Sequence, residues 1–234
     1  LVLAICSVAG MLSVGTPLGS PNLVRCNLLF HCYMGKRGYL NAWMSQEKWR
    51  VGLNLFVWAL VNSLSIWRGL WSPSYAVATF IVSSLAQTCI YICEALSGLL
   101  DLFGNTLVEH DRILDAVTEW RDLQAVLRKG SSSVEWCMFV LQVTVVSCVL
   151  IELVELTEGR STLLDICPIM PLLFQLVHTF FRAAHVTDKC TRMPSLLNLF
   201  FSQEMDTELE YVVNYVNNSA AGFYVFEVRG TTAI

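Results

Sequence analysis

The stretch YAVATFIVSSLAQTCIYICEALSGLL, residues 75–100, decides how this chain folds. Its only charged residue is Glu94. A run of about 20 or more apolar residues is long enough to cross a hydrocarbon core roughly 30 Å thick. The sequence therefore predicts a membrane-spanning helix over residues 75–100.

An amphipathic segment follows this run without an intervening proline. Between residues 105 and 127, charged side chains alternate with an apolar stripe at helical spacing. The stripe consists of Ile113, Val117, Trp120, Leu123 and Leu127. The pattern predicts one long helix over residues 75–129, or two helices joined near Gly104. We expect it to end at Gly130, where serines follow at 131–133.

The composition favours a membrane protein over a water-soluble one. The chain has 234 residues, of which 55% are hydrophobic and only 15% are charged, whereas soluble domains carry about 25% charged residues. The nine cysteines lack the paired spacing of a zinc site. No phosphate-binding loop, nucleophile motif or basic nucleic-acid patch is present. We therefore expect no catalysis, no cofactor, no metal and no nucleic-acid partner.

Further apolar runs predict more helices. Spans are expected at residues 51–67, 134–153 and 162–184, and a shorter apolar segment occupies residues 1–14. Residues 207–216 form an amphipathic pattern, whose apolar face consists of Leu209, Val212, Val213 and Val216. The sequence therefore predicts an all-α, polytopic helix bundle in a lipid bilayer.

The basic residues indicate which way the spans run. Thirteen of the fifteen lysines and arginines precede the span at 51–67 or follow those at 75–100 and 162–184. Only Arg68 and Arg160 lie in the other two loops. Loops rich in Lys and Arg stay in the cytoplasm. The helix at 75–100 is therefore predicted to end on the cytoplasmic side, and residues 1–14 to begin outside.

Glu94 is an acid inside a predicted span. Ionisable side chains in this position are costly and are frequently functional. A structural alternative is that Glu94 reaches the cytoplasmic surface or bonds to Thr88 or Tyr91. Both interpretations are open at this point.

The sequence NSAAGFYVF, residues 218–226, resembles the segment before the seventh helix of insect gustatory and odorant receptors, with Gly222 and Phe223 at the motif positions. The order of spans is also similar to that of this superfamily. The resemblance identifies the span at 75–100 as the fourth helix of the family. It implies that the chain lacks the first helix and the pore helix of a seven-helix receptor.

The resemblance implies a domain organisation. Residues 1–100 would hold family helices two to four, 101–132 a cytoplasmic extension of the long helix, and 133–187 helices five and six. Residues 188–234 would form a cytoplasmic helix leading into a truncated seventh helix. The protein would be a multi-pass protein of the cell membrane.

A function follows from the same resemblance. It implies a subunit of a tetrameric, ligand-gated cation channel with a small-molecule pocket among the outer halves of the helices. The pocket candidates are Asn62, Trp67, Thr79, Ser83, Asp165 and Met170. The two apolar stripes of the cytoplasmic helices would be the anchor where subunits meet. The alternative for these stripes is packing within a single chain.

Two other functions compete with the channel. One is a transporter, in which Glu94, His178 and the proline-containing last span would form a site at the middle of the membrane. The other is a non-conducting membrane scaffold related to the receptors, whose cytoplasmic helices would be its working surface.

Overall fold

A computed structural model describes residues 40–69, 72–109, 113–159, 166–200, 207–218, 224–225 and 228–229. Within them the expected all-α fold is confirmed. The elements are α1 (Leu40–Trp67), α2 (Pro73–Glu109), α3 (Ile113–Thr157), α4 (Met170–Phe200), α5 (Thr207–Asn218), β1 (Tyr224–Val225) and β2 (Val228–Arg229). The predicted helix at 207–216 coincides with α5, and the segment at 1–14 lies outside the described residues.

Three helical segments in this part of the chain are long and apolar enough to cross a membrane. They are Trp49–Trp67, Pro73–Asn105 and Val117–Thr157. They contain the spans predicted at 51–67, 75–100 and 134–153. Helix α4 is not among them, and the span expected at 162–184 begins in residues that the structure does not describe, so that span stays a prediction.

The amphipathic stripe lies in a separate helix from the apolar run at 75–100. Helix α2 ends at Glu109, and the stripe lies in α3, which continues from Ile113 to Thr157. The single long helix over residues 75–129 is therefore wrong and the alternative of two helices is confirmed, although the first of them continues past Gly104, the expected joint. Trp120 of the stripe packs on Phe103 of α2, with ring centroids 5.2 Å apart. This burial of the apolar face explains why the stripe folds beside α2 and does not prolong it.

The break expected at Gly130 and residues 131–133 is also wrong, because α3 is continuous there. A Cβ atom at Gly130 would lie 3.1 Å from Leu96 Cδ1, so this position holds α2 and α3 unusually close. The hydroxyl of Ser131 is buried and donates to the carbonyl of Arg128 at 3.0 Å. Close packing and local hydrogen bonding outweigh the weak helix propensity of glycine and serine.

After residue 218 the described residues form a short pair of strands, and the truncated seventh helix stays a prediction. Tyr224 pairs with Arg229 and Val225 with Val228 in a two-stranded antiparallel ladder. Tyrosine and valine favour strands. The strand pairing of these four residues agrees with that preference.

The chain divides into two compact units. The first consists of the described residues up to 90 together with 136–180. All four long helices contribute to its hydrophobic core, which contains Val61, Val82, Ala86, Leu141, Val145, Leu172 and Leu176. Helices α1 and α2 are antiparallel here, since Asn54 contacts Ser83 while Asn62, further along α1, contacts the earlier Thr79. The thiol of Cys137 in α3 lies 3.3 Å from that of Cys89 in α2.

The second unit consists of residues 91–135 and the described residues from 181 onwards. Contacts from Leu96 to Gly130 and from Phe103 to Trp120 make α2 and α3 antiparallel. Ion pairs join Glu94 to Arg182 and Asp101 to Lys189, so α2 and α4 run parallel in this unit. The alternation of direction agrees with the order of spans in the predicted topology, while the side on which each end lies stays a prediction.

Candidate functional site

Uncharged polar side chains gather between α1, α2 and α4 inside the first unit. We call this set the interhelical polar cluster; its members are Asn54, Asn62, Thr79, Ser83, Ser84 and Gln175. Asn62, Thr79, Ser83 and Gln175 are buried, although each helix is otherwise dominated by apolar residues. In an apolar surrounding, such groups require hydrogen-bond partners across or within the helices.

Three contacts join α1 to α2 within the cluster. The hydroxyl of Ser83 donates to Asn54 Oδ1 at 2.6 Å, and Asn54 Nδ2 donates to Ser84 Oγ at 3.3 Å. About two helical turns further along α1, Asn62 Nδ2 donates to the carbonyl of Trp58 at 2.8 Å and to Thr79 Oγ1 at 3.4 Å. Both the oxygen and the nitrogen of the Asn54 amide are therefore hydrogen-bonded to α2. These bonds fix which residues of α1 lie beside which residues of α2.

Gln175 brings the third helix into the cluster. Its Nε2 donates to the backbone carbonyl of Ser83 at 3.3 Å. Its Oε1 is buried and has no hydrogen-bond partner in the described part of the chain. The cluster can therefore accept one further hydrogen bond at a position enclosed by protein.

The predicted pocket residues divide into two groups. Asn62, Thr79 and Ser83 meet in the cluster. Trp67 is 68% exposed and Met170 is 53% exposed, so neither shares the buried site. Asp165 lies outside the described residues, as do the motif residues Gly222 and Phe223.

Sequence reasoning missed Asn54 and Gln175, which make the decisive interhelical bonds. The signal was present, since each is an amide within a stretch of apolar residues. Amides placed this way inside a helix bundle need a partner on another helix. A polarity search of every span would have found both residues, although not their partners.

Glu94 has a charged partner that was not predicted. Its Oε1 lies 3.3 Å from Arg182 Nη2, and the side chains are 19% and 42% exposed, respectively. Two turns further along both helices, Lys189 Nζ lies 2.6 Å from both carboxylate oxygens of Asp101. The hydroxyl of Thr88 donates instead to the carbonyl of Ser84. The pair with Arg182 gives Glu94 a role in holding α2 beside α4.

Reversing the charge at one end of this pair tests that role. We expect Glu94→Arg to lower the yield of monodisperse protein after detergent extraction, because two guanidinium groups would then face each other. The double variant Glu94→Arg with Arg182→Glu restores the opposite charges and should recover most of that yield. A coupling of about 0.5–1 kcal/mol is expected for a partly exposed pair.

Thermal unfolding of the single and double variants measures the effect independently of yield. The matched control is the double variant Asp101→Lys with Lys189→Asp, which reverses the other ion pair between the same two helices. If the Glu94/Arg182 double variant unfolds at no higher temperature than Glu94→Arg alone, the pair does not join the helices.

The proposed anchor stripe is largely buried by the chain itself. Trp120, Leu123, Leu127 and Val216 have 7% exposure or less, while Val117 and Val213 are half-buried. The side chains of Ile113, Leu209 and Val212 lie outside the described residues. This burial supports the alternative that the stripe packs within one chain, since its central side chains offer little surface to a partner.

In the described part of the chain, no three His, Cys, Asp or Glu side chains are close enough to hold a metal ion. No protein-family model and no curated protein matches the sequence. Inference about function therefore starts from the membrane-compatible helices and the interhelical polar cluster.

Proposed function

We propose that this chain is part of a multi-pass membrane receptor, in which a small molecule binds at the interhelical polar cluster and opens a cation-conducting path in an oligomer. The observation that carries the proposal is the buried cluster itself. Within it, Gln175 Oε1 has no hydrogen-bond partner in the described part of the chain. Ligand sites are typically apolar and contain a few convergent polar groups. The proposal that the receptor is a cation channel comes from the resemblance of residues 218–226 to insect gustatory and odorant receptors.

The position of the cluster supports signalling through helix movement. It joins α1, α2 and α4 in one unit, and α2 and α4 each continue into the second unit. A ligand that prefers one arrangement of these helices shifts the population toward that arrangement. Ligand binding at Ser83 and Gln175 is therefore suited to change how α2 lies against α4.

The transporter alternative draws on Glu94 and His178. Glu94 pairs with Arg182, and the ring of His178 lies 6.4 Å from that of Phe174 in an edge-on contact. The contact with Arg182 already gives Glu94 a structural role between α2 and α4. The receptor is therefore the better-supported proposal, and transport is the outcome that the test must be able to detect.

Voltage clamp of cells expressing the entire reading frame that contains this chain tests the function. We expect small uncharged molecules to evoke a cation current that reverses near zero millivolts. Ser83→Ala should raise the ligand concentration for half-maximal current about tenfold, since it removes a buried hydrogen bond. Ser63→Ala is the matched control, because its exposed hydroxyl bonds only within α1.

Surface biotinylation establishes that every variant reaches the membrane in equal amount. A current whose half-maximal concentration is the same in Ser83→Ala and Ser63→Ala would place the ligand elsewhere. Uptake of a labelled solute without any ligand-gated current would favour the transporter. Surface expression with neither current nor uptake would favour the scaffold.

A further inference from the structure

Two thiols face each other in the interior of the first unit. The sulfur atoms of Cys89 in α2 and Cys137 in α3 are 3.3 Å apart, and the two residues are 0% and 2% exposed. They lie 48 residues apart in the sequence, and both are thiols that are not joined in a disulfide. Neither residue belongs to the interhelical polar cluster, so the pair is independent of the proposed ligand site.

The packing of α2 and α3 holds the two thiols against each other. The short Cys137 side chain reaches the backbone of α2, where its sulfur lies 4.0 Å from the carbonyl oxygen of Leu85. About one turn from the thiols, Ala86 of α2 and Leu141 of α3 belong to the same hydrophobic core. A small side chain such as alanine allows two helix backbones to lie close together. Cys89 therefore has its partner thiol in contact without any rearrangement of the helices.

The surroundings favour a disulfide over a metal ion between these thiols. The thiolate, and not the thiol, is the metal ligand, so a monovalent ion held by both sulfurs would leave a negative charge in the hydrophobic core. Burying such a charge is strongly unfavourable. A disulfide is uncharged, and its S–S bond is about 2.05 Å long. Rotation about the χ1 torsion moves each sulfur, so the side chains themselves can supply much of the approach from 3.3 Å.

We infer that Cys89 and Cys137 are an oxidation site, at which a reversible disulfide forms and ties α2 to α3. The oxidant is hydrogen peroxide, which is small and uncharged and reaches the buried sulfurs when the helices open locally. The inference does not depend on the proposed receptor function.

The reaction has two steps. In the first, one sulfur attacks the O–O bond of the peroxide and becomes a sulfenic acid, while the thiol hydrogen and the departing OH leave as water. In the second, the other sulfur attacks the sulfenic acid, the S–S bond forms, and the OH group leaves with the second thiol hydrogen as water. The two sulfurs together lose two electrons, which reduce the peroxide. The contact at 3.3 Å favours this second step over the capture of any more distant thiol.

Peptide mapping of the oxidised chain tests the pairing. The purified chain in lipid nanodiscs is treated with hydrogen peroxide, the remaining thiols are blocked, and the protein is digested without reductant. We expect the peptide that links Cys89 to Cys137 to be the most abundant disulfide product, and dithiothreitol to abolish it. The chain contains nine cysteines, so random oxidation would link Cys89 to many of the others. Absence of the Cys89–Cys137 peptide, or linkage of Cys89 to other cysteines as often, would overturn the inference.

Thermal unfolding in the same nanodiscs shows whether the bond ties the helices together. Oxidation should raise the unfolding temperature of the unaltered chain by roughly 5 °C, because a covalent link that closes a long loop restricts the unfolded chain. The rise should vanish in Cys89→Ala and in Cys137→Ala. Cys148→Ala is the matched control, since Cys148 is also buried on α3 about three turns beyond Cys137, and it should keep the rise.

Comparing oxidised with reduced protein of the same variant cancels any loss of packing that the substitution causes. A rise that persists in Cys137→Ala would show that another cysteine pair is responsible and would contradict the inference. The peptide map of the unaltered chain requires no variant to fold, so it decides the pairing even if a variant is unstable.

Discussion

Replacing Trp120 by alanine should lower the free energy of unfolding by about 3–5 kcal/mol, the largest effect expected of a single truncation among the described residues. The Trp120 side chain is fully buried, and its ring stacks at a tilt on Phe103. Truncation therefore removes a large apolar contact and leaves a cavity between α2 and α3 that helices cannot easily close.

Unfolding of the detergent-solubilised chain by increasing sodium dodecyl sulfate, followed by circular dichroism, measures this loss. Trp136→Ala is the matched control, because Trp136 lies on the same helix but is 59% exposed. We expect it to cost less than about 1 kcal/mol. Equal losses for the two variants would contradict the assignment of Trp120 to the core.

The same variant separates packing within one chain from the anchor between subunits. If Trp120 served a subunit contact alone, Trp120→Ala would reduce the mass of the assembled particle without lowering the stability of the single chain. Because the ring is covered by its own chain, we expect the loss of stability to precede any change in assembly. Mass photometry at matched protein concentration distinguishes the two outcomes.

The second large effect is expected at Gly130. Replacing this residue by leucine should destabilise the chain by about 1–3 kcal/mol, although leucine forms helices better than glycine by nearly 1 kcal/mol. A Cβ atom alone would lie 3.1 Å and 3.3 Å from the two methyl carbons of Leu96. A full leucine side chain must therefore push α3 away from α2.

Gly52→Leu provides the control that isolates packing from helix propensity. Gly52 lies within α1, and a Cβ atom placed there meets no described atom within 4 Å apart from its chain neighbours and the nearby backbone of its own helix. This substitution should leave the thermal unfolding temperature unchanged or raise it. If Gly130→Leu also raises that temperature, then α2 and α3 are not in close contact at Leu96, and the continuous helix needs another explanation.

The sequence by itself determined where most helices lie. The apolar runs at 51–67, 75–100 and 134–153 and the amphipathic pattern at 207–216 all became helices. Runs of apolar residues and helical periodicity act over a few turns, so they can be detected without knowledge of the fold. Asn62, Thr79 and Ser83 were predicted as pocket residues through the family resemblance, which placed the pocket among the outer halves of these spans.

Only the tertiary structure decided which of these features act together. Gly130 and the serines after it resemble a loop locally, yet they form a helix because Leu96, far away in the chain, packs against the glycine. Likewise, neither the pairing of Glu94 with Arg182 nor that of Gln175 with Ser83 has any local signature. Contacts between residues distant in sequence depend on how whole helices pack, and that is why the partners, unlike the helices, emerged only from the structure.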